Sequence, residues 1–260
     1  MQLINIKSLK EKQAELKADY QSKKPFRYVM FENFFLPDKA EQIYQSYPAI
    51  ENGQWDGTTY LDQKNKFQKT EFAANSIMDT VFKELNSPEF LSWLQDVTQV
   101  EDELLGDEEL FGGGLHQSIN GAFLNVHVDY NIHPKTKFHR RLNVLVYMNK
   151  DWQDEYEGHL ELWDLSQGDS KLLGKYAPVF NRCVIFETNE VSFHGHPKPL
   201  RTPKDINRKS IATYYYTKTR PEHEIASDHN TIYVNTEGVR GHIRRFSSGV
   251  KALLERINKQ

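Results

Sequence analysis

From Leu115 onward the sequence breaks into short β-rich runs: FLNVHVDY (123–130), RLNVLVYMN (141–149), HLELWDL (159–165), APVF (177–180), RCVIFET (182–188) and SIATYYYT (210–217). Turn-rich segments such as NIHPKTK, LSQGDSK and GHPKPLRTPKD separate them. Strands this short and evenly spaced suit an antiparallel sandwich or barrel; a doubly wound sheet would place a helix between each pair. The chain before Val100 has a different texture. Residues 8–24 read as an exposed helix ended by Pro25, and 27–35 as a strand. Pro37 opens an amphipathic helix with Ile43, Tyr44 and Tyr47 on one side. Residues 76–85 and 87–100 have helical spacing, the second opened by Ser87 as cap and Pro88 at the first helical position. Residues 50–69 show little periodicity and read as irregular. The acids between Glu101 and Glu109 read as a solvated loop, and 246–259 as a closing helix.

The expected architecture is therefore mainly β with peripheral helices, packed outside one of two facing antiparallel sheets. The division is 1–110 for N-terminal elements, 111–220 for the β core and 221–260 for a C-terminal extension, as one structural domain of 260 residues. An apolar fraction of 38% with 12% aromatics supports a sizeable core. No apolar run is long enough for a membrane span and the start lacks a signal-peptide core, so the chain reads as soluble and cytoplasmic. Lys and Arg number 33 against 36 Asp and Glu, a net charge of −3, which gives no case for an obligatory nucleic-acid partner. Cys183 is the single cysteine, so internal disulfides and cysteine-rich metal sites are excluded. Any metal must take His, Asp or Glu.

Ten histidines need spacing to select among them. In Val126-His127-Val128-Asp129, residues two apart share a strand face, so an imidazole and a carboxylate converge. A third ligand is offered by Ser192-Phe193-His194-Gly195-His196, which follows the apolar run 182–188. Two histidines and a carboxylate with positions left open suit non-haem Fe(II). Arg208, 14 residues beyond His194, opens the strand containing Ser210. An arginine entering the interior needs an anion, and its planar fork matches a carboxylate.

The order His-x-Asp, long spacer, His, Arg-x-Ser resembles the Fe(II)/2-oxoglutarate-dependent dioxygenases, within them the prolyl-4-hydroxylase-like branch. LNVLVYMNK (142–150), GHLEL (158–162) and NRCVIF (181–186) are similar to further segments of that branch, and FENFFLPDKAEQIY (31–44) to its usual opening. The resemblance implies a double-stranded β-helix of jelly-roll, cupin-like type. It implies His127, Asp129 and His194 as iron ligands, and Arg208, helped by Ser210, against the far carboxylate of 2-oxoglutarate. Tyr147 aligns with a tyrosine that bonds the same carboxylate, although Leu145 or Val146 would point inward in another register.

Fe(II), 2-oxoglutarate and O2 are the implied cofactors, with ascorbate as a candidate reductant, and succinate and CO2 the implied by-products. The retained acid at Asp129 favours hydroxylation over halogenation. His196 is the rival third ligand, but it precedes Pro197 in an expected loop. His116 and His159 read as inward or rim residues, and His133, His139, His223, His229 and His242 as surface. Lys135, Lys137, Arg140 and Arg141 read as solvated loop charges, and Tyr214 and Tyr216 as core. The substrate is open among a prolyl or other residue in a protein, a free amino acid and a small metabolite or sugar. The alternative is a non-catalytic β-helix binding module.

Overall fold

A computed structural model describes residues 2–51, 55–60, 62–166 and 170–234. The expected closing helix at 246–259 and His242 lie outside the described residues. The N-terminal layer holds α1 (Ile6–Glu11), α2 (Gln13–Ser22), β1 (Tyr28–Glu32), α3 (Pro37–Gln45), β2 (Asp56–Tyr60), β3 (Gln63–Lys69), α4 (Ile77–Leu85) and α5 (Pro88–Thr98). The core follows as β4 (Gly114–Val128), β5 (His139–Tyr147), β6 (Leu160–Asp164), β7 (Lys171–Tyr176), β8 (Arg182–Glu187), β9 (Phe193–His196), β10 (Arg208–Thr217) and the short β11 (Ile232–Tyr233).

All the strand pairs are antiparallel, in one hydrogen-bonded network ordered β1-β8-β5-β10-β4-β9-β6-β7. β4 is long enough to serve two leaves. Its first half pairs with β10 and its second half with β9 and β11, while β3 runs alongside from Leu115 to Leu124. The sheet thus curls on itself as a double-stranded β-helix. Alternation sorts the residues of the first leaf. Val29, Val144, Val146, Ile185 and Ile211 pack outward against Leu16, Val81, Phe90 and Trp93 of the helices. This is the expected placement of helices outside one sheet.

Four local expectations are corrected. Residues 8–24 form two helices meeting at Lys12, and Leu9, Leu16 and Tyr20, spaced seven and four apart, bury one face against α5. The stretch read as irregular at 50–69 contains the β2–β3 hairpin. APVF is loop, while Lys171–Tyr176 supplies the strand beside β6. In the acidic segment Glu101, Glu103, Glu108 and Glu109 are exposed, but Asp107 is buried and accepts from the amides of Glu109 and Phe111 at 3.0 and 2.7 Å.

Candidate metal centre

Between the leaves lies a cavity of about 230 Å³ whose lining includes every site residue named from the sequence. At one end, His127 on β4, Asp129 just beyond it and His194 on β9 bring one ligand atom each to within 4.8 Å of one another. Nε2 of His127 lies 3.6 Å from Asp129 Oδ1, and Nε2 of His194 lies 3.4 Å from Oδ2. The two rings come to 4.4 Å because Leu124 pairs with His196 while His127 pairs with His194, three residues of β4 against two of β9. That bulge needs Gly195, where a Cβ would sit 2.8 Å from the carbonyl oxygens of both Leu124 and Asn125.

Each imidazole is held through its far nitrogen. His127 Nδ1 donates to the Asn125 carbonyl at 2.8 Å and His194 Nδ1 to the Ser192 carbonyl at 2.9 Å, which leaves both Nε2 lone pairs facing the carboxylate. Burial and the neighbouring His127 bring His194 down to about 3, so its ring is neutral as a metal requires. Burial pushes the Asp129 carboxyl up, but Arg140, His194 and His127 outweigh it and hold the group well below the usual carboxylate range. This donor set fits a divalent transition metal with open positions, and Fe(II) in particular.

Asp129 is itself clamped. Its Oδ2 accepts from Asn143 Nδ2 at 2.8 Å and faces Arg140 at 2.9 Å. Arg140 also donates to Asn143 Oδ1 through Nε and a terminal nitrogen, and its guanidinium lies over the rings of Tyr214 and Tyr130, 3.5 and 4.5 Å from their centroids. Arg140 is 1% exposed, which corrects its reading as a solvated loop charge. The cause is a second bulge. Tyr215 pairs with Leu142 but Tyr216 with Arg140, so Arg141 is the extra residue and Arg140 joins the face of Asn143, Leu145 and Tyr147. Tyr214 correspondingly lines the cavity.

At the other end Arg208, 7% exposed, donates from Nε to the Gly158 carbonyl at 2.7 Å and from a terminal nitrogen to the Tyr147 hydroxyl at 3.3 Å. Gly158, at φ 71°, leaves no room for a side chain: a Cβ would meet Leu200 at 2.3 Å and Arg208 at 3.1 Å. Tyr147 is the inward residue of its trio together with Leu145, and Ser210 stands opposite Tyr147 in the ladder. Tyr47 ties this corner together by donating to the Ser210 and His116 carbonyls at 2.8 and 3.0 Å.

Other histidines divide differently from expectation. His196 lies in β9, not in a loop; it is buried and lines the cavity, but stands outside the His127–Asp129–His194 cluster. His116 lines the cavity as well, and burial holds both rings well below the usual imidazole range. His159 is buried beside Asp154, off the cavity. His133 is 2% exposed, not a surface residue; its Nδ1 accepts the amides of Lys135 and Thr136, and Phe111 and Tyr216 close over the ring. Gln63, Lys66 and Gln68 of β3 complete the wall. Burial brings Lys66 down to about 8 against the opposing pull of Asp129.

Residues 113–216 match the family profile described as the 2OG-Fe(II) oxygenase superfamily. Among solved structures, the chain is similar to a Pseudomonas putida prolyl-4-hydroxylase at 14% identity and TM-score 0.55, covering 78% of this chain and 98% of that one. Prolyl 4-hydroxylase from Phytophthora capsici aligns at 19% identity and TM-score 0.54, over 97% and 79%. HygX from Streptomyces hygroscopicus, with nickel and 2-oxoglutarate bound, aligns at 15% and 0.51, over 86% and 95%. At these identities the structural likenesses establish the fold. A search of curated proteins finds no match. Among the described residues no helix is long and apolar enough to cross a membrane.

Proposed function

We propose that the protein, whose residues 113–216 match the 2OG-Fe(II) oxygenase superfamily profile, is a 2-oxoglutarate-dependent dioxygenase that hydroxylates an unactivated C–H bond of a prolyl or other amino-acid residue, a free amino acid or a small metabolite or sugar. The observation that carries this is the trio His127, Asp129 and His194, with ligand atoms within 4.8 Å and both imidazoles turned by their Nδ1 bonds. Fe(II) held by these side chains would supply the oxygen chemistry, with 2-oxoglutarate as co-reductant leaving as succinate and CO2. The catalytic core is 111–220, with 1–110 as its support.

The protein's own tasks are positional. Arg140 and Asn143 hold Asp129 ionised and in one orientation. Arg208, oriented by Gly158 and Tyr147, takes the far carboxylate of 2-oxoglutarate, with Tyr147 and Ser210 beside it. The curled sheet encloses the reacting centre and limits the access of bulk water. The proposed range keeps polar small molecules beside peptides: HygX, a structural neighbour, has been seen with hygromycin B bound, and a Trichoplax adhaerens neighbour is a prolyl hydroxylase bound to a peptide fragment.

The test is a mass-spectrometric screen of peptides, amino acids and polar metabolites for gain of one oxygen atom under Fe(II), 2-oxoglutarate, O2 and ascorbate, with succinate followed in parallel. Succinate formation that is lost in His194→Ala supports the reading. No succinate from iron-loaded protein under any condition sinks it and leaves a non-catalytic binding module in its place.

A further inference from the structure

β5 has a second, largely buried arginine side chain, Arg141, and it faces away from the metal centre. The bulge that turns Arg140 inward turns Arg141 to the back of the sheet, where a separate cavity of about 210 Å³ lies between the end of α5, the start of β1 and the 220–224 turn. That volume far exceeds the roughly 10–15 Å³ that one water requires. Its charged lining is balanced, with Arg27, Arg141 and Arg220 against Glu101, Glu187 and Glu224.

The charges are balanced in number but only partly paired, with Glu224 shared by two of the arginines. Arg220 is fully engaged, to Glu224 at 3.1 Å and to the carbonyls of Arg140 and Thr188. The Arg141 side chain is 10% exposed and reaches Glu224 only through Nη2, at 3.4 Å; its Nη1 is buried without an acceptor. Glu187 accepts from Asn189, yet among the described residues no cation lies within 4.0 Å of it. Burial followed by Arg220 pushes the Arg141 guanidinium down, whereas burial pushes the Glu187 carboxyl up against the opposing pull of the more distant Arg27, with Glu224 adding to the rise. Each charge is thus in an unfavourable place, and a charge of opposite sign beside each would relieve both.

We propose that this rear cavity is a binding site for a small zwitterion of the free α-amino-acid class, with its carboxylate on Arg141 Nη1 and its ammonium on Glu187. The chemistry selects this class: a bare anion would meet three carboxylates, a bare cation three guanidinium groups, and only a ligand carrying both satisfies the two ends together. Leu142 and Val100 supply the apolar part of the wall for a short side chain. No residue of the metal centre takes part, so the proposal stands independently of the substrate of the main cavity.

The test uses the full chain saturated with Zn(II) and 2-oxoglutarate, so that the front cavity is occupied. Individual L-amino acids, acetate and methylammonium are titrated by calorimetry and saturation-transfer NMR. At least one amino acid should bind at one per chain, with acetate and methylammonium each at least about tenfold weaker. Arg141→Gln and Glu187→Gln should each weaken it by about tenfold or more while leaving 2-oxoglutarate affinity unchanged. Absence of saturable binding by any amino acid overturns the proposal. So does binding that survives Arg141→Gln, which would place the amino acid in the front cavity. Acetate equal to the best amino acid overturns the zwitterion and leaves an anion site. Should Arg141→Gln not fold, Glu187→Gln and the amino-acid/acetate contrast on the parent protein decide alone.

Discussion

Neighbouring residues of β5 face two different environments. Leu142, Val144 and Val146 point to the helical layer and are held by apolar burial, whereas Asn143, Leu145 and Tyr147 point into the cavity, where Asn143 and Tyr147 are fixed by hydrogen bonds to named partners. Burial is roughly proportional to area and indifferent to direction, so the outer face tolerates any set of side chains of the right volume. The inner face depends on angles and distances, so a substitution there should change chemistry before it changes stability. The sharpest break of this contrast comes from the proposed metal trio. His127→Ala, Asp129→Ala and His194→Ala should each reduce 2-oxoglutarate turnover to background and lower iron stoichiometry, read by succinate formation and metal analysis. His196→Ala should keep iron. Retained iron and turnover in all three variants would remove the inner face's special status.

Arg208→Ala follows. Truncating one partner of a buried charge pair typically costs about 2–5 kcal/mol, or roughly 30-fold to several thousandfold in 2-oxoglutarate affinity. Iron binding should persist, and Arg208→Lys should recover only part, since an ammonium lacks the planar fork. Anaerobic calorimetry on Mn(II)-loaded protein measures it, and affinity within about threefold of the parent would leave the anion without its anchor. A loss of similar size but of the opposite kind is expected one layer away. Ile185, fully buried among the outward residues, should lose about 2–5 kcal/mol of stability on Ile185→Ala. Denaturant unfolding should show that loss while 2-oxoglutarate affinity stays unchanged.

The same contrast explains what could be read from sequence. The outer face and the helices were legible because apolar periodicity records burial directly, as in Phe90, Trp93, Leu94 and Val97 of α5. The clustering of His127, Asp129 and His194 was legible because two of the three share the period of a strand. The β2–β3 hairpin was not: β3 is intermediate in burial along nearly its whole length and lines the cavity with polar side chains, so its sequence QKNKFQK carries no alternation. Arg140 was illegible for a different reason. A bulge shifts the period by one residue and leaves no mark in composition, so strict alternation assigns Arg140 to the outer face with Leu142 and Arg141 to the cavity.

Arg140 therefore tests the inner face where only the structure identifies it. Arg140→Gln removes the charge that holds Asp129 but keeps a donor, and partners of metal ligands typically govern about 10–100-fold in metal affinity or activity. Iron affinity or turnover should fall within that range, with 2-oxoglutarate affinity at the Arg208 end much less affected. Equal loss at both ends would mean that the cavity collapses as a unit.

The smallest effect lies farthest from the metal. Ser87 caps α5 by accepting the Phe90 amide at 3.3 Å, and Pro88 occupies the first helical position, so the helix start is specified twice. Ser87→Ala removes one of these and leaves the other, and should cost about 1 kcal/mol, equivalent to roughly 2–4 °C in melting temperature for a domain of this size. α5 carries Phe90 and Trp93 onto the outer face, whose apolar packing adjusts to small shifts without transmitting direction. Turnover and 2-oxoglutarate affinity should therefore match the parent at a temperature well below melting. A change in either beyond about twofold, with the melting shift as small as expected, would show that the outer face sets angles at the metal centre as well as stability, and the separation of the two faces would fail at its weakest point.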